Sequence, residues 1–319
     1  MNRTQQILTG ILILQILVAA FVFWPDAGGV VEDVPIFENI NVEDVVSFSV
    51  DDADGNHVEM VKTGDGWVLP DNGNFPVTAE KIDTVLEHLF EIRTNRLITR
   101  TKDSHSRLQV ADDDFVRRVW LEDTAGNQYI LFIGGSSAAA ATHVRRAGDD
   151  NVYLSSAVSS WEFGNQIKNW IDVVYLSIPS EEIIAINIEN AHGKLEFEKG
   201  PDGEWLMRGL TEGEEFNPNN LMSMVSRLAN IQMDVPLGTD EKPEYGFDTP
   251  SAVITVYTQN EEGDQDTIIL RVGGQSVDGK SYFLSASNSE YYVKVASYTV
   301  QDFIDRDKEV FLVAEEQAE

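Results

Sequence analysis

The sequence predicts an α+β fold: an N-terminal transmembrane helix, then two repeated domains, each of antiparallel hairpins packed on one long amphipathic helix. Three observations predict it. Eighteen residues from Ile7 to Trp24 carry no charge. Residues 41–176 align with residues 180–312 at a nearly constant shift of 138 or 139. Each copy also places apolar residues at helical spacing between strand-like stretches.

The uncharged N-terminal stretch predicts a membrane anchor. Eighteen helical residues span about 27 Å, close to the hydrocarbon thickness of a bilayer. Arg3 precedes the stretch and acidic residues follow it, which places residues 1–6 in the cytoplasm and the bulk of the chain outside. We therefore expect a single-pass protein of the cytoplasmic membrane, with a linker at residues 25–39. The alternative is a cleaved secretory signal, since Val18-Ala19-Ala20 supplies small residues for cleavage.

The repeats begin with an alternating strand and a tryptophan. Val46, Phe48 and Val50 alternate with serines, and three isoleucines recur at the shift of 138. Trp67 likewise corresponds to Trp205, which predicts one buried core anchor in each copy. We expect a first repeat at residues 40–177, a second at residues 178–313, and an acidic tail at residues 314–319.

A long amphipathic helix follows in both copies, because five apolar residues lie on one helical face and recur 139 positions later. The residues are Ile82, Val85, Leu86, Leu89 and Ile92, then Leu221, Met224, Val225, Leu228 and Ile231. Thr78 and Asn217 stand at the N-cap positions, and Pro218 follows where a helix tolerates its missing N–H. More strand-like sequence follows each helix, in which Gly134-Gly135 matches Gly273-Gly274, and we interpret Gly134-Gly135-Ser136-Ser137 as a strand-ending turn. A short terminal helix is predicted to close each copy, with Phe163, Ile167 and Trp170 in the first and Val300, Phe303 and Ile304 in the second.

Composition excludes several classes of function. Among 319 residues, 54 Asp and Glu oppose 23 Lys and Arg, for a formal net charge of −31. Such a chain repels nucleic acid and anionic lipid headgroups, so we expect no nucleic-acid partner. The sequence contains no cysteine, which excludes disulfides, thiolate metal sites and cysteine nucleophiles.

Several segments resemble the DUF4340 family of domains of unknown function in bacterial membrane-anchored proteins. The resemblance covers nearly the whole chain after Phe37, in two copies. It rests on Asn2-Arg3, Gly66-Trp67-Val68-Leu69, the helix Ile82 to Ile92, Tyr245-Gly246-Phe247-Asp248-Thr249-Pro250, Leu270-Arg271-Val272-Gly273-Gly274 and Tyr291-Tyr292-Val293-Lys294-Val295. The first copy departs from it, with Leu108-Gln109-Val110 where the second has Tyr245-Gly246-Phe247. The resemblance implies an association with ABC-type export systems that include a GldG-like subunit, and it brings no catalytic residues.

The acidic run from Asp51 to Asn56 is the main metal candidate, since closely spaced carboxylates chelate calcium. Its spacing does not fit an EF-hand loop, so we interpret it as a hairpin turn. The five histidines are scattered and form no zinc-binding pair. No nucleophile elbow or phosphate loop occurs either. We therefore predict no catalytic, cofactor-binding or metal-binding residues, no cofactor and no enzymatic activity.

Two groups of side chains are candidates for ligand or partner binding. Tyr282 and Tyr292 offer aromatic surface for a ligand, with core packing as the alternative because adjacent strand residues face opposite sides. The basic pairs Arg117-Arg118 and Arg145-Arg146 are the second group, with an acidic partner as the matching ligand.

These features lead to three functional hypotheses. The first is a non-enzymatic, membrane-anchored extracytoplasmic accessory or scaffold subunit of a GldG-like ABC-type transport complex, held in the membrane by Ile7 to Trp24. The second is an envelope module that binds polysaccharide, peptide or lipid. The third is a hydrolase with dispersed carboxylates, which a cleft of convergent acids would reveal.

Overall fold

The computed structural model describes residues 12–16, 18, 32–137 and 141–313. Residues 12–16 and 18 are helical. Most of the remaining described residues that lie in helices or strands belong to two antiparallel sheets, which are accompanied by three α-helices of nine to twelve residues. We refer to residues 32–171 as the first half and to residues 172–313 as the second half.

Nine strands of the described chain form the sheet of the first half. They are β1 (Val45–Asp51), β2 (His57–Thr63), β3 (Gly66–Leu69), β4 (Phe75–Pro76), β5 (Leu97–Thr99), β6 (Arg117–Asp123), β7 (Gln128–Ser137), β8 (Ala141–Arg146) and β9 (Val152–Ser155). Their spatial order is β4-β3-β2-β1-β6-β7-β8-β9-β5, and all neighbours are antiparallel. The helix α1 (Ala79–Phe90) lies between β4 and β5 in the chain.

Eight strands form the sheet of the second half, and two more make a separate pair. The pair is β10 (Val174–Ser177) with β14 (Asn230–Gln232), and the sheet holds β11 (Ile183–Asn190), β12 (Gly193–Lys199), β13 (Trp205–Met207), β15 (Val235–Gly238), β16 (Ala252–Gln259), β17 (Gln265–Gln275), β18 (Ser281–Ala286) and β19 (Tyr292–Ala296). The spatial order is β13-β12-β11-β16-β17-β18-β19-β15. The helices are α2 (Asn219–Ala229) and α3 (Ser297–Asp305).

The two sheets have the same strand order. Each strand of the second sheet occupies the same place as the strand numbered ten lower in the first sheet, from β13 and β3 at one end to β15 and β5 at the other. The first sheet has one additional strand, β4, at its edge. Backbone hydrogen bonds also recur 139 residues apart. The amide of Thr94 donates to the carbonyl of Val34 at 3.0 Å, and the amide of Met233 donates to that of Val173 at 2.8 Å.

Both predicted amphipathic helices are present and bury the predicted face. In α1 the buried residues are Ile82, Val85, Leu86 and Leu89, and in α2 they are Leu221, Met224, Val225 and Leu228. The second helix begins at Asn219, so Pro218 stands at the N-cap position predicted for Asn217, whose side chain accepts a hydrogen bond from the amide of Asn219. The tryptophans Trp67 and Trp205 are buried, as predicted.

The predicted fold class is nevertheless wrong, because the described chain is mostly antiparallel β-sheet rather than hairpins packed on long helices. The strands β5 and β15 have only three and four residues, and they join the sheets through backbone pairing with β9 and β19. Near the end of the first half, a predicted helix is replaced by two 3-10 turns, Ser160–Glu162 and Ile167–Asn169. A period of two cannot be recognised in strands this short, so the sequence analysis underestimated the sheet.

The predicted transmembrane helix is also not supported. Among the described residues, no helix is long and apolar enough to cross a membrane. The longest one between residues 32 and 313 has 12 residues and spans about 18 Å, against about 30 Å of hydrocarbon. Most of the anchor at residues 7–24 lies outside the described residues, as do residues 1–6, residues 25–31 of the linker and the tail at 314–319.

The two halves pack together around one hydrophobic core, which extends from Ile36 to Phe311. Where they meet, Gly73 lies so close to Gly238 that a Cβ on Gly73 would be 2.5 Å from the Cα of Gly238. Beside this contact, the side-chain amide of Asn72 donates to the carbonyl of Pro236 at 2.6 Å. The rings of Phe75 and Tyr291 also meet edge to face at 4.8 Å.

Candidate functional site

The acidic run from Asp51 to Asn56 forms a hairpin turn between β1 and β2, as predicted. The carboxylate of Asp52 accepts hydrogen bonds from the amides of Asp54 and Asn56 and from the side chains of Asn56 and Asn165. Burial alone raises the pKa of Asp52, but these hydrogen bonds outweigh it and hold the pKa below its ordinary value. The carboxylate therefore organises the turn through its own neighbours.

The histidines are held at separate places. Four of their rings have partners, which are Asp51 for His57, Glu162 for His88, the Asp150 carbonyl for His105 and the Gly135 carbonyl for His143. Within residues 12–16, 18, 32–137 and 141–313, no group of three His, Cys, Asp or Glu side chains is arranged to hold a metal ion.

The two tyrosines suggested for ligand binding are half-buried in the second half. Tyr282 packs against the main core. Tyr292 packs against Tyr245 and Phe247, and its hydroxyl donates to Glu241 at 3.0 Å. Burial and the neighbouring Glu241 carboxylate raise the pKa of Tyr292. These contacts occupy the rings, so the pair does not form an open aromatic platform.

The basic pairs are also engaged inside the molecule. Arg145 is 3% exposed, donates to the carbonyl of Val110 at 2.6 Å and to Asp112 at 2.5 Å, and stacks over Phe132 at 4.5 Å. Arg118 donates to Asp51. Two further contacts are those of Arg117 with the Phe163 carbonyl and of Arg146 with Asp149. The internal partners neutralise or orient these guanidinium groups, which argues against a docking spot for an acidic partner.

An open cavity lies beside α1, where the sequence indicated no site. It has a volume of about 540 Å³, within the range of small-molecule sites. One wall is the indole of Trp161, which is 79% exposed. We call this cavity the Trp161 groove; its lining residues are Glu80, Lys81, Thr84, Val85, His88, Trp161, Glu162, Asn169 and Trp170.

The wall that carries Trp161 is fixed to α1 by one carboxylate. One oxygen of Glu162 accepts a hydrogen bond from the amide of Ser159 at 3.1 Å, and the other lies 2.7 Å from Nδ1 of His88. On the other side of the groove, the Lys81 ammonium donates to the carbonyl of Ile171. The backbone around Trp161 is therefore held in place while its ring faces solvent.

The sequence does contain a signal for this turn that our sequence reasoning missed. Ser159 and Glu162 have the Ser-x-x-Glu spacing of a capping box, which predicts that a helical turn begins at Ser159. Reading Phe163 and Trp170 as one continuous helical face hid that boundary. In the turn that starts at Ser159, the side chain of Trp161 faces solvent, whereas that of Phe163 is buried.

The second half has a related arrangement. Arg227 on α2 stands 139 positions after His88 and pairs with Asp302 on α3 at 3.4 Å. An exposed aromatic residue, Tyr298, lies nearby with 76% of its surface accessible, and its carbonyl accepts a hydrogen bond from Arg227. In both halves a basic residue of the long helix thus pairs with an acid near the end of the half.

A second open cavity of about 510 Å³ lies on the solvent face of the second sheet. Its polar lining includes Glu196 and Glu198 of β12, Arg208 and Tyr257 of β16. Glu198 accepts two hydrogen bonds from Arg208, at 2.9 and 2.7 Å. The side-chain hydrogen bonds and the proximity of Glu198 raise the pKa of Arg208, which stays charged.

Comparison with protein families finds one match, to the family described as Domain of unknown function (DUF4340), at residues 67–250. The match covers more than half of the chain. It begins in β3 of the first half and ends just before β16 of the second, so it crosses the predicted boundary between repeats. No curated protein and no solved structure matches the chain.

Proposed function

The chain belongs to the DUF4340 family, and we propose that it is a non-enzymatic, extracytoplasmic accessory or scaffold subunit of a GldG-like ABC-type transport complex at the cytoplasmic membrane. We also propose that its two halves are tandem copies of one DUF4340-like unit. The association with transport systems comes from the family and is not a property of any one residue.

The observation that carries this proposal is the rigid union of two sheets with the same strand order. The close contact of Gly73 with Gly238 and the Asn72 hydrogen bond to Pro236 lie at the junction, and one core continues across both halves. A duplicated, fixed body offers two related surfaces at a set distance. Two weak contacts with one partner then add up, because the second forms at high effective concentration.

The test is affinity purification of the tagged full-length protein from its own membranes after mild crosslinking, with mass spectrometry of the proteins recovered. We expect an ABC ATPase and a permease to be enriched over untagged membranes. Repeated recovery of the protein alone would overturn the proposal. Fractionation of the same cells, with protease added to intact spheroplasts, tests the location, and full protection of the chain would contradict an extracytoplasmic position.

A second candidate function is an envelope module that binds polysaccharide, and the cavity with Tyr257 favours it. A tyrosine beside paired carboxylate and guanidinium groups supplies both a stacking surface and hydrogen-bonding partners for sugar hydroxyls. Isothermal titration with soluble envelope glycans tests it, with Tyr257→Ala as the variant. Binding that this variant leaves unchanged would exclude the cavity.

A further inference from the structure

We propose that the Trp161 groove binds a short basic segment of a partner subunit, in which lysine or arginine alternates with apolar side chains. This inference rests on the proposed function, because the partner is a subunit of the same complex. It states which side chains the partner segment carries and which surface of this chain that segment contacts.

The apolar part of the argument is Trp161 itself. An indole that is 79% exposed leaves a large apolar surface in water, and burying it against a ligand is favourable. Tryptophan is also prominent among residues that dominate binding energy at protein interfaces. Val85 and the edge of the buried Trp170 complete an apolar lining for the side chains of a bound segment.

The electrostatic part is the acidity of the rim. Glu80 lines the groove, and Glu87 is exposed two turns further along the same face of α1. The two basic side chains of the lining are engaged, Lys81 with the Ile171 carbonyl and His88 with Glu162. Lys81 keeps its positive charge, but the two carboxylates of the lining, Glu80 and Glu162, outnumber it in a chain whose net charge is −31, so the field at the groove is negative. A cation over the Trp161 ring adds a cation–π contact.

The length of the acidic stripe favours a peptide over a small cation. From Glu80 to Glu87 the helix advances about 10 Å, which corresponds to about three residues of an extended chain. A single amine would meet only one end of this stripe. Alternating side chains give such a segment one apolar and one basic face, matching Trp161 on one side and the carboxylates on the other.

The fixed backbone lowers the ordering penalty on binding. Glu162 ties the turn to α1 through His88 and to its own start through Ser159, so the wall is already in place before a ligand arrives. The ring of Trp161 is the main group left to be ordered.

The direct test measures fluorescence anisotropy of labelled Lys-Leu-Lys-Leu-Lys-Leu with the full-length protein. We expect Trp161→Ala to weaken binding about tenfold and the double variant Glu80→Gln, Glu87→Gln to weaken it severalfold at low salt. Tyr298→Ala is the matched control, since it removes an equally exposed aromatic residue in the second half, and it should change affinity less than twofold.

Three outcomes of this titration would overturn the inference. They are equal losses in Trp161→Ala and Tyr298→Ala, equal binding of the neutral peptide Gln-Leu-Gln-Leu-Gln-Leu, and binding of chitotetraose in place of the basic peptide. Circular dichroism of each variant shows that it is folded, so a loss of binding is not a loss of structure.

The crosslinking purification separates this inference from the proposed function. Loss of the transporter subunits from Trp161→Ala and their retention by Tyr298→Ala would support both. Recovery of the subunits with both variants would refute the groove as the contact and leave the proposed function intact. Failure of the wild-type protein to recover any subunit would refute the proposed function, whatever the peptide titration shows.

Discussion

One turn in each half has the same backbone and different side chains. The first turn (residues 106–110) and the second turn (residues 243–247) each begin as a 3-10 helix, Ser106–Leu108 and Pro243–Tyr245. Each then places one residue in the left-handed region, Gln109 at φ 55° and Gly246 at φ 72°. In the sequence, the first copy departs from the family pattern at this segment, with Leu108-Gln109-Val110 in place of Tyr245-Gly246-Phe247.

In both turns a backbone carbonyl lies directly against a glycine of a strand, Gly134 of β7 or Gly273 of β17, and we call each of these glycines a glycine seat. A Cβ on Gly134 would stand 2.2 Å from the carbonyl oxygen of Leu108, and one on Gly273 would stand 2.0 Å from that of Tyr245. The side chains that pack around the two turns differ. Leu108 and Val110 pack with Phe115 and Phe132 in the first turn, whereas Tyr245 and Phe247 pack with Phe283 and Tyr292 in the second. Backbone contact therefore sets the shape of the turn, and the side chains vary around it.

The largest predicted effect comes from adding a methyl group to one of the glycine seats. Gly273→Ala forces a methyl group against a backbone carbonyl that has little freedom to move, so we expect a loss of about 3 kcal/mol in the free energy of unfolding. Gly134→Ala should cost a similar amount. Urea unfolding followed by circular dichroism measures both. The control is Gly64→Ala, where nothing lies within 4 Å of the added carbon. If Gly273→Ala is as mild as this control, the seat does not hold the turn.

The next largest effect distinguishes Arg145, which contacts the first turn, from Arg271, which contacts the second. Arg145→Ala leaves the carbonyl of Val110 without its buried donor, and the expected loss is about 2 kcal/mol. Arg271 stacks over Phe247 at 5.1 Å, but it is 39% exposed and pairs with the exposed Glu241, so Arg271→Ala should cost less than about 1 kcal/mol. Urea midpoints of the two variants provide the comparison. Equal losses would show that burial does not distinguish the two contacts.

The glycine seats also show how far the sequence predicts this fold. The match of Gly134-Gly135 to Gly273-Gly274 was correct as a correspondence, but the interpretation of the first pair as part of a strand-ending turn was wrong. Both pairs lie inside strands, β7 and β17, at places where the register with the next strand shifts. Such a bulge follows from a carbonyl elsewhere in the chain approaching the strand, and that distant contact leaves no local pattern.

Local patterns did predict the elements whose side chains carry the periodicity. The alternating β1 and β11, the apolar faces of α1 and α2 and the buried tryptophans are examples. The groove was missed for the opposite reason. Trp161 and Phe163 are aromatic residues two positions apart, and no periodic pattern distinguishes them; the turn held by the hydrogen bonds of Glu162 leaves Trp161 exposed and Phe163 buried.

A smaller effect tests the left-handed residue itself. Gly246→Gln places a side chain at φ 72°, with its Cβ 3.0 Å from the amide nitrogen of Gly274, and should cost about 1 kcal/mol. The reverse change, Gln109→Gly, removes the strain of a left-handed glutamine but loosens the unfolded chain, so stability should change by less than about 0.5 kcal/mol. Thermal unfolding of both variants measures this asymmetry. A destabilisation by Gln109→Gly as large as that of Gly246→Gln would mean that the Gln109 side chain is itself required.

The smallest predicted effect is on how the free energy of unfolding changes at acid pH. It concerns another pair of equivalent positions, Asp52 and Asn190. Hydrogen bonds outweigh burial and depress the pKa of Asp52 in the folded chain. The unfolded chain, with a pKa of about 3.9, thus binds the proton first as the pH falls. The contribution of Asp52 is complete above that value and is lost as the pH falls through the lower, folded pKa.

Asp52→Asn should therefore flatten the decline in the free energy of unfolding below about pH 4, whatever it does to stability at neutral pH. Asp54→Asn, two residues away and exposed, is the control and should leave the slope unchanged. Asn190 donates to the carbonyls of Phe303 and Arg306, so a carboxylate there would face two acceptors. Asn190→Asp should accordingly lose stability as the pH rises and its carboxyl ionises, opposite in sign to the contribution of Asp52. Urea unfolding between pH 3 and 6 measures both slopes, and the same sign in the two halves would contradict the asymmetry.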